Sequence, residues 1–130
     1  MIFLDSDCII DFLRGDEKAI EIVGNNLGEV VTSELNSFEV FFGIFNKRDI
    51  PRNELLSAEK FFEVVNVLSF DSQCGKISAK ILCDLKKKGV EINQNDCLIA
   101  SIMMKNGIDT IITRNKKHFS KVKGLMVLEY

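Results

Sequence analysis

Acidic residues stand beside three apolar segments of this sequence. Asp5, with Asp7 two residues later, directly follows the continuous apolar run of residues 2–4. Glu39 shares the core-facing side of a helical pattern, and Asp96 falls in the first turn of another. A carboxylate on a core-facing surface needs a cation, a hydrogen-bond network or a proton, because burial of an unpaired charge costs several kcal/mol.

These carboxylates together predict a divalent metal site. The strand that ends at Thr113 should reach the same edge of a parallel sheet as Asp5, bringing the side chains of residues 113–115 there. Like charges this close are tolerated mainly around divalent cations, and hard oxygen ligands favour Mg²⁺, for which Mn²⁺ can substitute. Each acid alone has a simpler explanation. Glu39 can pair with a lysine at the rim of the core, and Asp96 can interact with the dipole of its own helix.

A cluster of cations follows the same strand. Residues 114–123 contain no acid and five cations: Arg114, Lys116, Lys117, Lys121 and Lys123. The whole chain is also uneven, since residues 1–39 carry nine acids against two cations and residues 76–123 carry eleven cations against four acids. This asymmetry suits a protein that holds metal ions with one half and a polyanion with the other, but two solvated faces explain it equally well. For His118 we favour a packing or helix-end role over metal binding.

Short apolar strands alternate with helical patterns along the chain. Strands are predicted at residues 2–4, 29–33, 66–70, 109–113 and 125–128, and helices at 8–13, 16–23, 34–47, 52–65, 72–88 and 96–106, with one turn at 114–119. Asn95 is the expected cap of the helix at 96–106. The alternation predicts an α/β fold, a central parallel sheet of four to five strands with helices on both faces. At 130 residues, the chain should form a single domain, residues 1–130.

Composition argues against several other classes. No apolar run approaches the roughly 20 residues that span a bilayer, and acids occupy the N-terminus, so we expect a cytoplasmic protein that does not bind membranes. Four cysteines at unrelated spacings and a single histidine indicate neither a zinc site nor a disulfide framework, and the cysteines should lie in the core. The helix at 34–47 is apolar nearly all round, so part of it should contact another chain or peptide.

Four motifs, in matching order and spacing, resemble those of the PIN-domain nucleases and, within that family, the VapC-type toxins of toxin–antitoxin pairs. They are Ile2-Phe3-Leu4-Asp5-Ser6-Asp7 with Ile9-Ile10-Asp11, Thr32-Ser33 with Phe38-Glu39-Val40 and Gly43, Asp96-Cys97-Leu98-Ile99-Ala100, and Thr113-Arg114-Asn115 with His118-Phe119. The resemblance therefore covers the whole chain. It implies Mg²⁺-dependent cleavage of single-stranded or structured RNA, a homodimer, and a small antitoxin that covers the site.

The resemblance also implies roles for individual residues. Asp5, Glu39 and Asp96 correspond to the acids that hold the metal ion and carry the catalysis, in which a metal-bound water attacks a phosphodiester. Asn115 falls where many members have a fourth acid, and Asp7 stands where Asn is more frequent. Asn115 and Asp7 are therefore further candidate ligands. Two alternatives stay open for Asp7, which either restores the missing charge or simply caps the first helix.

Hydroxyl groups and cations beside the metal site are expected to position the substrate: Ser6, Thr113, Arg114, Lys116 and Lys117. Other functions stay open. The chain could be an RNA-processing PIN nuclease, or a PIN module that binds RNA without cleavage because residue 115 is not an acid. An apolar strand followed by Asp-x-Asp also resembles the first motif of haloacid-dehalogenase-type phosphatases, in which the first Asp is the nucleophile, although no Gly-Thr follows Asp7.

Overall fold

The computed structural model describes residues 1–130 as one five-stranded sheet with seven helices. The strands are β1 (Ile2–Leu4), β2 (Val30–Ser33), β3 (Asn66–Leu68), β4 (Thr110–Ile112) and β5 (Met126–Leu128), and all neighbouring strands are parallel, in the order β3-β2-β1-β4-β5. The helices are α1 (Ser6–Arg14), α2 (Glu17–Asn25), α3 (Glu34–Phe45), α4 (Arg52–Val64), α5 (Ser72–Lys87), α6 (Gln94–Lys105) and α7 (Lys116–Phe119).

The sheet separates two apolar cores, because neighbouring residues of a strand point to opposite faces. Phe3 and Ile111 belong to the core that α5, α6 and α7 cover, whereas Leu4 and Ile112 belong to the core that α1–α4 cover. None of these four side chains is exposed, which explains why β1 is a continuous apolar run and why β4 contains two consecutive isoleucines. The prediction of a parallel sheet with helices on both faces is confirmed.

β1 occupies the centre of the sheet, between β2 and β4. Leu4 lies beside Ile112 in the register of β1 and β4, so the next residues, Asp5 and Thr113, leave the sheet at the same edge. Between β3 and β4 the chain crosses from one side of β1 to the other. Such a reversal opens a crevice at the carboxyl ends of the strands, where ligands of open α/β sheets bind.

Two helices begin earlier than the sequence predicts. α1 begins at Ser6 because Asp5 is its N-cap, and the Asp5 carboxylate accepts a 2.9 Å hydrogen bond from the Ser6 backbone N–H. α6 begins at Gln94 because Asn93 is its N-cap, and its side chain accepts a 2.8 Å hydrogen bond from the Asn95 backbone N–H. The predictions of Asp7 and Asn95 as helix caps are therefore wrong. The strands other than β1 are one or two residues shorter than predicted, which is usual for strand ends.

The structure also bears on the cysteines and on the expected absence of a membrane-spanning segment. Cys8, Cys74 and Cys97 are buried as predicted, whereas Cys83 is exposed on α5, so the expected core position is wrong for that residue. None of the seven helices combines the length and the apolar character that crossing a bilayer requires.

Candidate active site

Asp5 is buried where β1 meets α1, with 5% of its surface exposed. Its Oδ1 accepts hydrogen bonds from the Ser6 backbone N–H at 2.9 Å and from Asn36 Nδ2 at 3.1 Å. Its Oδ2 accepts a 2.7 Å hydrogen bond from the Thr113 hydroxyl, directly after β4. The predicted meeting of the ends of β1 and β4 is confirmed by this contact.

A chain of hydrogen bonds along α3 links Asp5 to Glu39. Ser33, the N-cap of α3, donates its hydroxyl proton to Asn36 Oδ1 at 2.5 Å. Asn36 Nδ2 then donates both to Asp5 and to the Ser6 hydroxyl oxygen, which is 2.9 Å away. Because the Ser6 oxygen accepts from Asn36, its own proton is directed to Glu39 Oε2 at 2.5 Å. The side chain of Asn36 is completely buried, and its amide fixes the direction of the whole chain of hydrogen bonds.

α6 contributes two further polar contacts. Asn95 donates its side-chain amide to Glu39 Oε1, which explains why this residue does not cap its helix. Asp96 lies in the first turn of α6, as predicted, and its Oδ2 is 3.0 Å from His118 Nδ1. The packing or helix-end role that the sequence suggested for His118 is thus incomplete, because the ring also contacts a predicted ligand through a polar atom.

Asp7 connects the first turn of α1 to the residues that follow β4. Its Oδ1 accepts a hydrogen bond from the Cys8 backbone N–H at 2.6 Å. Its Oδ2 accepts hydrogen bonds from the Arg114 backbone N–H at 2.8 Å and from the Thr113 hydroxyl at 3.2 Å. Asp7 therefore shares the Thr113 hydroxyl with Asp5, and its carboxylate belongs to the same cluster.

The other predicted site residues lie at the rim. The guanidinium of Arg114 pairs with Asp11 at 2.9 Å, so Arg114 contacts the cluster only through its backbone. Asn115 is exposed, and its backbone N–H donates to the Thr113 hydroxyl oxygen at 3.0 Å. Lys116 and Lys117 are exposed in α7. The residues that the structure brings together are Asp5, Ser6, Asp7, Glu39, Asp96 and Thr113.

Burial and the neighbouring charges raise the pKa of three carboxyl groups of the cluster, those of Asp5, Glu39 and Asp96. Burial, followed by the charge of Asp7, raises the pKa of Asp5 from 3.8 to about 7. Burial is also the main reason why the pKa of Glu39 is raised, and the charges of Asp96 and Asp7 add to this shift. For Asp96, burial raises the pKa, the adjacent His118 opposes the shift, and Asp7 adds to it. The four carboxylates are therefore close enough to repel one another.

The chemistry of this donor set fits a hard divalent cation. Carboxylate, hydroxyl and amide oxygens are the ligands that Mg²⁺ and Mn²⁺ prefer, and a cation would relieve the repulsion that raises the carboxyl pKa values. In the arrangement described here, no three acidic, histidine or cysteine side chains meet in coordination geometry. Each carboxylate is held instead by hydrogen bonds from its neighbours. The residues that could hold an ion are Asp5, Glu39 and Asp96, with Asp7 beside them.

Three polar residues of the site were not assigned to it from the sequence: Asn36, Asn95 and His118. A signal for Asn36 exists, because Ser33, Asn36 and Glu39 recur at three-residue spacing and so share one side of a helix. The contacts of Asn95 and His118 depend on how α6 packs against α3 and α7, which no local pattern encodes.

Comparisons with known proteins match nearly the whole length of the chain. The profile of the PIN domain matches residues 2–125. The tRNA(fMet)-specific endonuclease VapC of Salmonella typhimurium is 24% identical over 123 residues, which cover 95% of this chain and 92% of that protein. Ribonuclease VapC1 of Rickettsia felis is 28% identical over 131 residues, which cover 98% of this chain and 94% of that protein.

Solved structures share the fold over the full length of the chain. VapBC2 from Rickettsia felis, bound to a DNA fragment from its promoter, superimposes with a TM-score of 0.87 at 19% identity and covers 100% of this chain and 99% of the matched one. VapBC-1 from nontypeable Haemophilus influenzae superimposes with a TM-score of 0.81 at 29% identity and covers 99% of this chain and 98% of the matched one. The five-stranded parallel sheet and its helices are therefore common to these proteins and to this chain.

Proposed function

Because the chain belongs to the PIN-domain family, we propose that it is a divalent-metal-dependent endoribonuclease and the toxin of a VapBC-type toxin–antitoxin pair. The curated relatives are an endonuclease specific for tRNA(fMet) and a ribonuclease, and the solved neighbours are VapBC proteins. One observation carries the proposal. Asp5, Asp7, Glu39 and Asp96 lie together at the carboxyl edge of the sheet, and burial together with the neighbouring charges raises the carboxyl pKa values of Asp5, Glu39 and Asp96, as in an oxygen-rich cation site.

Asp5, Glu39 and Asp96 would hold Mg²⁺ or Mn²⁺, and Asp7 is a further candidate ligand. The ion would supply a bound water of lowered pKa and would stabilise the negative charge that develops on the phosphodiester. No covalent nucleophile on the protein is required for this hydrolysis.

The surrounding side chains orient the carboxylates. Asn36 and Thr113 donate to opposite oxygens of Asp5, so the plane of that carboxylate is fixed by α3 and β4. The Ser6 hydroxyl holds the Glu39 carboxylate by a hydrogen bond, and the His118 ring holds the Asp96 carboxylate. Ligands that are held in this way need little reorganisation when an ion binds. Lys116 and Lys117, exposed at the rim, can approach the phosphates of the substrate.

The other functions suggested by the sequence find less support. A dehalogenase-type phosphatase finds less support because no Gly-Thr follows Asp7 and the profile of the PIN domain matches residues 2–125. The module that binds RNA without cleavage was suggested by the missing acid at position 115, and Asp7 supplies a fourth carboxylate to the cluster. A processing nuclease would use the same site as a toxin, and the two differ in whether an antitoxin partner exists.

The proposed activity is tested by the cleavage of RNA with Mg²⁺ or Mn²⁺ and with EDTA. We expect cleavage with either ion, none with EDTA, and none by Asp96→Asn with either ion. Asn at this position keeps an oxygen for the contact with His118 but removes a charge that the folded protein disfavours. The melting temperature of ion-free Asp96→Asn should therefore equal or exceed that of the wild type.

The matched control is Asp109→Asn, which removes an exposed carboxylate in front of β4 and should cleave like the wild type. Purifying all three proteins identically separates the activity from contaminating ribonucleases. Equal cleavage by the wild type and Asp96→Asn, or cleavage that persists in EDTA, would contradict the proposed function.

Two apolar surfaces suit the proposed protein partners. On α3, Phe38 and Phe42 are 66% and 58% exposed, and their rings stack with centroids 5.8 Å apart; we assign this face to a homodimer. On the α1–α4 side, an apolar groove of about 740 Å³ is bordered by Phe12, Leu27 and Val64. We assign this groove to an apolar segment of the antitoxin, because a helix or extended peptide can bury its apolar side chains there.

A further inference from the structure

Lys121 separates two surface cavities between α5 and the segment that follows α7. The first, of about 640 Å³, extends from His118 past Asn93 to Lys86 near the end of α5. The second, of about 290 Å³, lies along α5, and Lys121 borders it as well. We call the two cavities together the basic groove, because five lysines line it: Lys80, Lys86, Lys88, Lys121 and Lys123.

Most of these lysines have no anionic partner within the protein. Glu91 and Asp84 are the two acids along the basic groove. The Lys121 ammonium donates to the backbone carbonyl of Glu91 at 2.5 Å, and none of the five lysines forms an ion pair with a carboxylate. Part of the charge at the end of α5 offsets the helix dipole, as the sequence suggested. The dipole of α5 does not explain the positions of Lys80 and Lys123.

The basic groove is continuous with the candidate active site. His118, which lines the first cavity, contacts Asp96 at 3.0 Å. The charge of Lys121 also reaches Asp96, because this lysine opposes the rise that burial causes in the pKa of the Asp96 carboxyl. A chain held at Asp96 can therefore pass over His118 and Lys121 without leaving the protein surface.

The second cavity has an apolar floor beneath its lysines. Ile77, Ile81, Met104 and Val122 line it, and Met104 is 43% exposed. A surface that is apolar in the middle and cationic at the rim matches single-stranded RNA, whose bases and riboses can lie on the floor while its phosphates meet the ammonium groups. Duplex RNA presents mainly phosphates and hydroxyls and would leave that floor uncovered.

We propose that the basic groove holds the single-stranded RNA that flanks the scissile bond on the α6–α7 side of the active site. This inference rests on the proposed function and names the path of its substrate. Binding along the groove is mainly electrostatic and tolerant of sequence, because the groove contains no Phe, Tyr or Trp on which bases could stack.

The test compares two triple variants of equal charge change. The groove variant is Lys80→Glu, Lys88→Glu and Lys123→Glu, and the control variant is Lys18→Glu, Arg48→Glu and Arg52→Glu. The control residues are exposed, form no ion pair and lie outside the groove. The added negative charge increases the long-range repulsion of RNA in both variants. The difference in their RNA affinity therefore measures the contribution of contacts in the basic groove.

The first measurement is the affinity for an RNA of about 20 nucleotides in EDTA, where no cleavage is expected, at several salt concentrations, since such a strand exceeds the length that one binding groove covers. We expect the groove variant to bind at least about tenfold more weakly than the control variant. The logarithmic slope of its salt dependence should be smaller by about 0.7 for each phosphate that it no longer neutralises. Equal affinities and slopes for the two variants would overturn the proposal.

The second measurement is cleavage of a long RNA and of an RNA of about four nucleotides, which occupies only the active site. The groove variant should have a higher KM than the control variant for the long RNA, and the two variants should have equal kcat and KM for the short one. An equal rise in KM for both lengths would overturn the proposed path. If the wild type cleaves neither RNA, the proposed function fails, while the binding measurement still decides whether RNA lies in the groove.

The antitoxin provides the third comparison, because an acidic protein segment could also occupy a cationic groove. We expect both triple variants to bind the antitoxin as the wild type does. Loss of antitoxin binding by the groove variant alone, with RNA affinity equal to that of the control variant, would assign the groove to the protein partner and overturn the RNA proposal.

Discussion

Asp5 combines three roles in a single side chain. It is the N-cap of α1, it joins the ends of β1 and β4 through the Thr113 hydroxyl, and it is a candidate ligand for the metal ion. Its burial raises its carboxyl pKa, so the first two roles are compatible with a protonated group and the third requires the ionised one. The ion-free protein and the ion-bound protein therefore favour different protonation states of Asp5.

The stability of the ion-free protein should depend on pH through Asp5. Because its pKa rises from 3.8 to about 7 on folding, the stabilising effect of its proton is complete below pH 3.8 and is lost as the pH rises through about 7. The loss amounts to roughly 4 kcal/mol. Asp5→Asn carries no charge at any pH, so melting curves in EDTA should show its stability gain over the wild type growing between these pH values. If the difference in stability between Asp5→Asn and the wild type were constant across this pH range, the raised pKa of Asp5 would be contradicted.

Asp7 should compensate for the absence of an acid at position 115. Its carboxylate faces the cluster through Thr113 and Arg114, whereas the side chain of Asn115 is exposed. We expect Asp7→Asn to weaken Mg²⁺ binding and to slow cleavage, and we expect the additional change Asn115→Asp to restore both. The coupling between the two changes should be on the order of 1 kcal/mol or more.

The two single variants, the double variant and the wild type form a double-mutant cycle. The measurements are calorimetry of Mg²⁺ binding and the cleavage rate of each protein. Asp5 is the N-cap of α1, but Asp7 also accepts from the Cys8 backbone N–H in the first turn, so the melting temperature of each variant is measured as well. A lower melting temperature of Asp7→Asn with unchanged Mg²⁺ affinity would assign Asp7 to that turn. Additive effects of the two changes would show that Asp7 and position 115 do not share the ion.

Among the elements, α3 has the closest relation to the site. One of its sides carries Ser33, Asn36 and Glu39 toward Asp5 and Ser6, while Phe38 and Phe42 are exposed on another side. This division explains why the helix is apolar nearly all round and yet carries a carboxylate. The expectation that part of this helix contacts another chain stays a prediction.

Asn36→Ala should reveal how far α3 positions the site. The change leaves Asp5 Oδ1 and the Ser33 hydroxyl without one buried partner each, so we expect a loss of about 1–3 kcal/mol in the free energy of unfolding. It also releases the Ser6 hydroxyl that holds Glu39, so kcat should fall at temperatures where the variant is fully folded.

The matched control is Ser37→Ala, the next residue of α3, whose side chain forms no hydrogen bond. Urea unfolding and single-turnover cleavage of both variants provide the two measurements. Loss of stability by Asn36→Ala with an unchanged kcat would mean that Asn36 supports the fold and does not position Glu39.

Local sequence patterns were enough to predict the strands and helices, but only part of the candidate site. Period and length placed every strand and helix within a few residues, because a strand buried on both faces must be continuously apolar. Parallel strand ends placed Asp5 beside Thr113 for the same reason. The caps of α1 and α6 were misplaced because several neighbouring polar residues can cap a helix, and contacts across helices decide which of them does. His118 reaches Asp96 through tertiary packing alone.

At the scale of the whole molecule, three surfaces of different character surround one site. The acids lie at the carboxyl edge of the sheet, the basic groove extends from them along α5, and the two apolar surfaces lie on α3 and on the α1–α4 side. The unequal distribution of charge along the sequence thus corresponds to a spatial separation. We infer that RNA and protein partners approach the molecule from different directions.

The two apolar surfaces should respond independently to substitution. Phe38→Ser with Phe42→Ser should convert a dimer to a monomer in light-scattering measurements and should leave the antitoxin groove intact. Leu27→Ser with Val64→Ser should leave the dimer unchanged and abolish co-purification with the antitoxin, because both residues are exposed and border that groove. Each pair of substitutions is the control for the other. If the phenylalanine pair abolished antitoxin binding and the Leu27 and Val64 pair disrupted the dimer, the two assignments would have to be exchanged. If neither pair had an effect, both assignments would be wrong.

The hydrogen bond between Asp5 and Thr113 joins residues that are 108 positions apart. During synthesis, a ribosome releases Asp5 early, but the strand that carries Thr113 cannot join β1 until nearly all of the intervening chain has emerged. Asp96 also comes late, so a polypeptide that has not been synthesised beyond Thr113 has no complete site. The order of the chain thus delays assembly of the nuclease site until Asp96 and Thr113 have both left the ribosome.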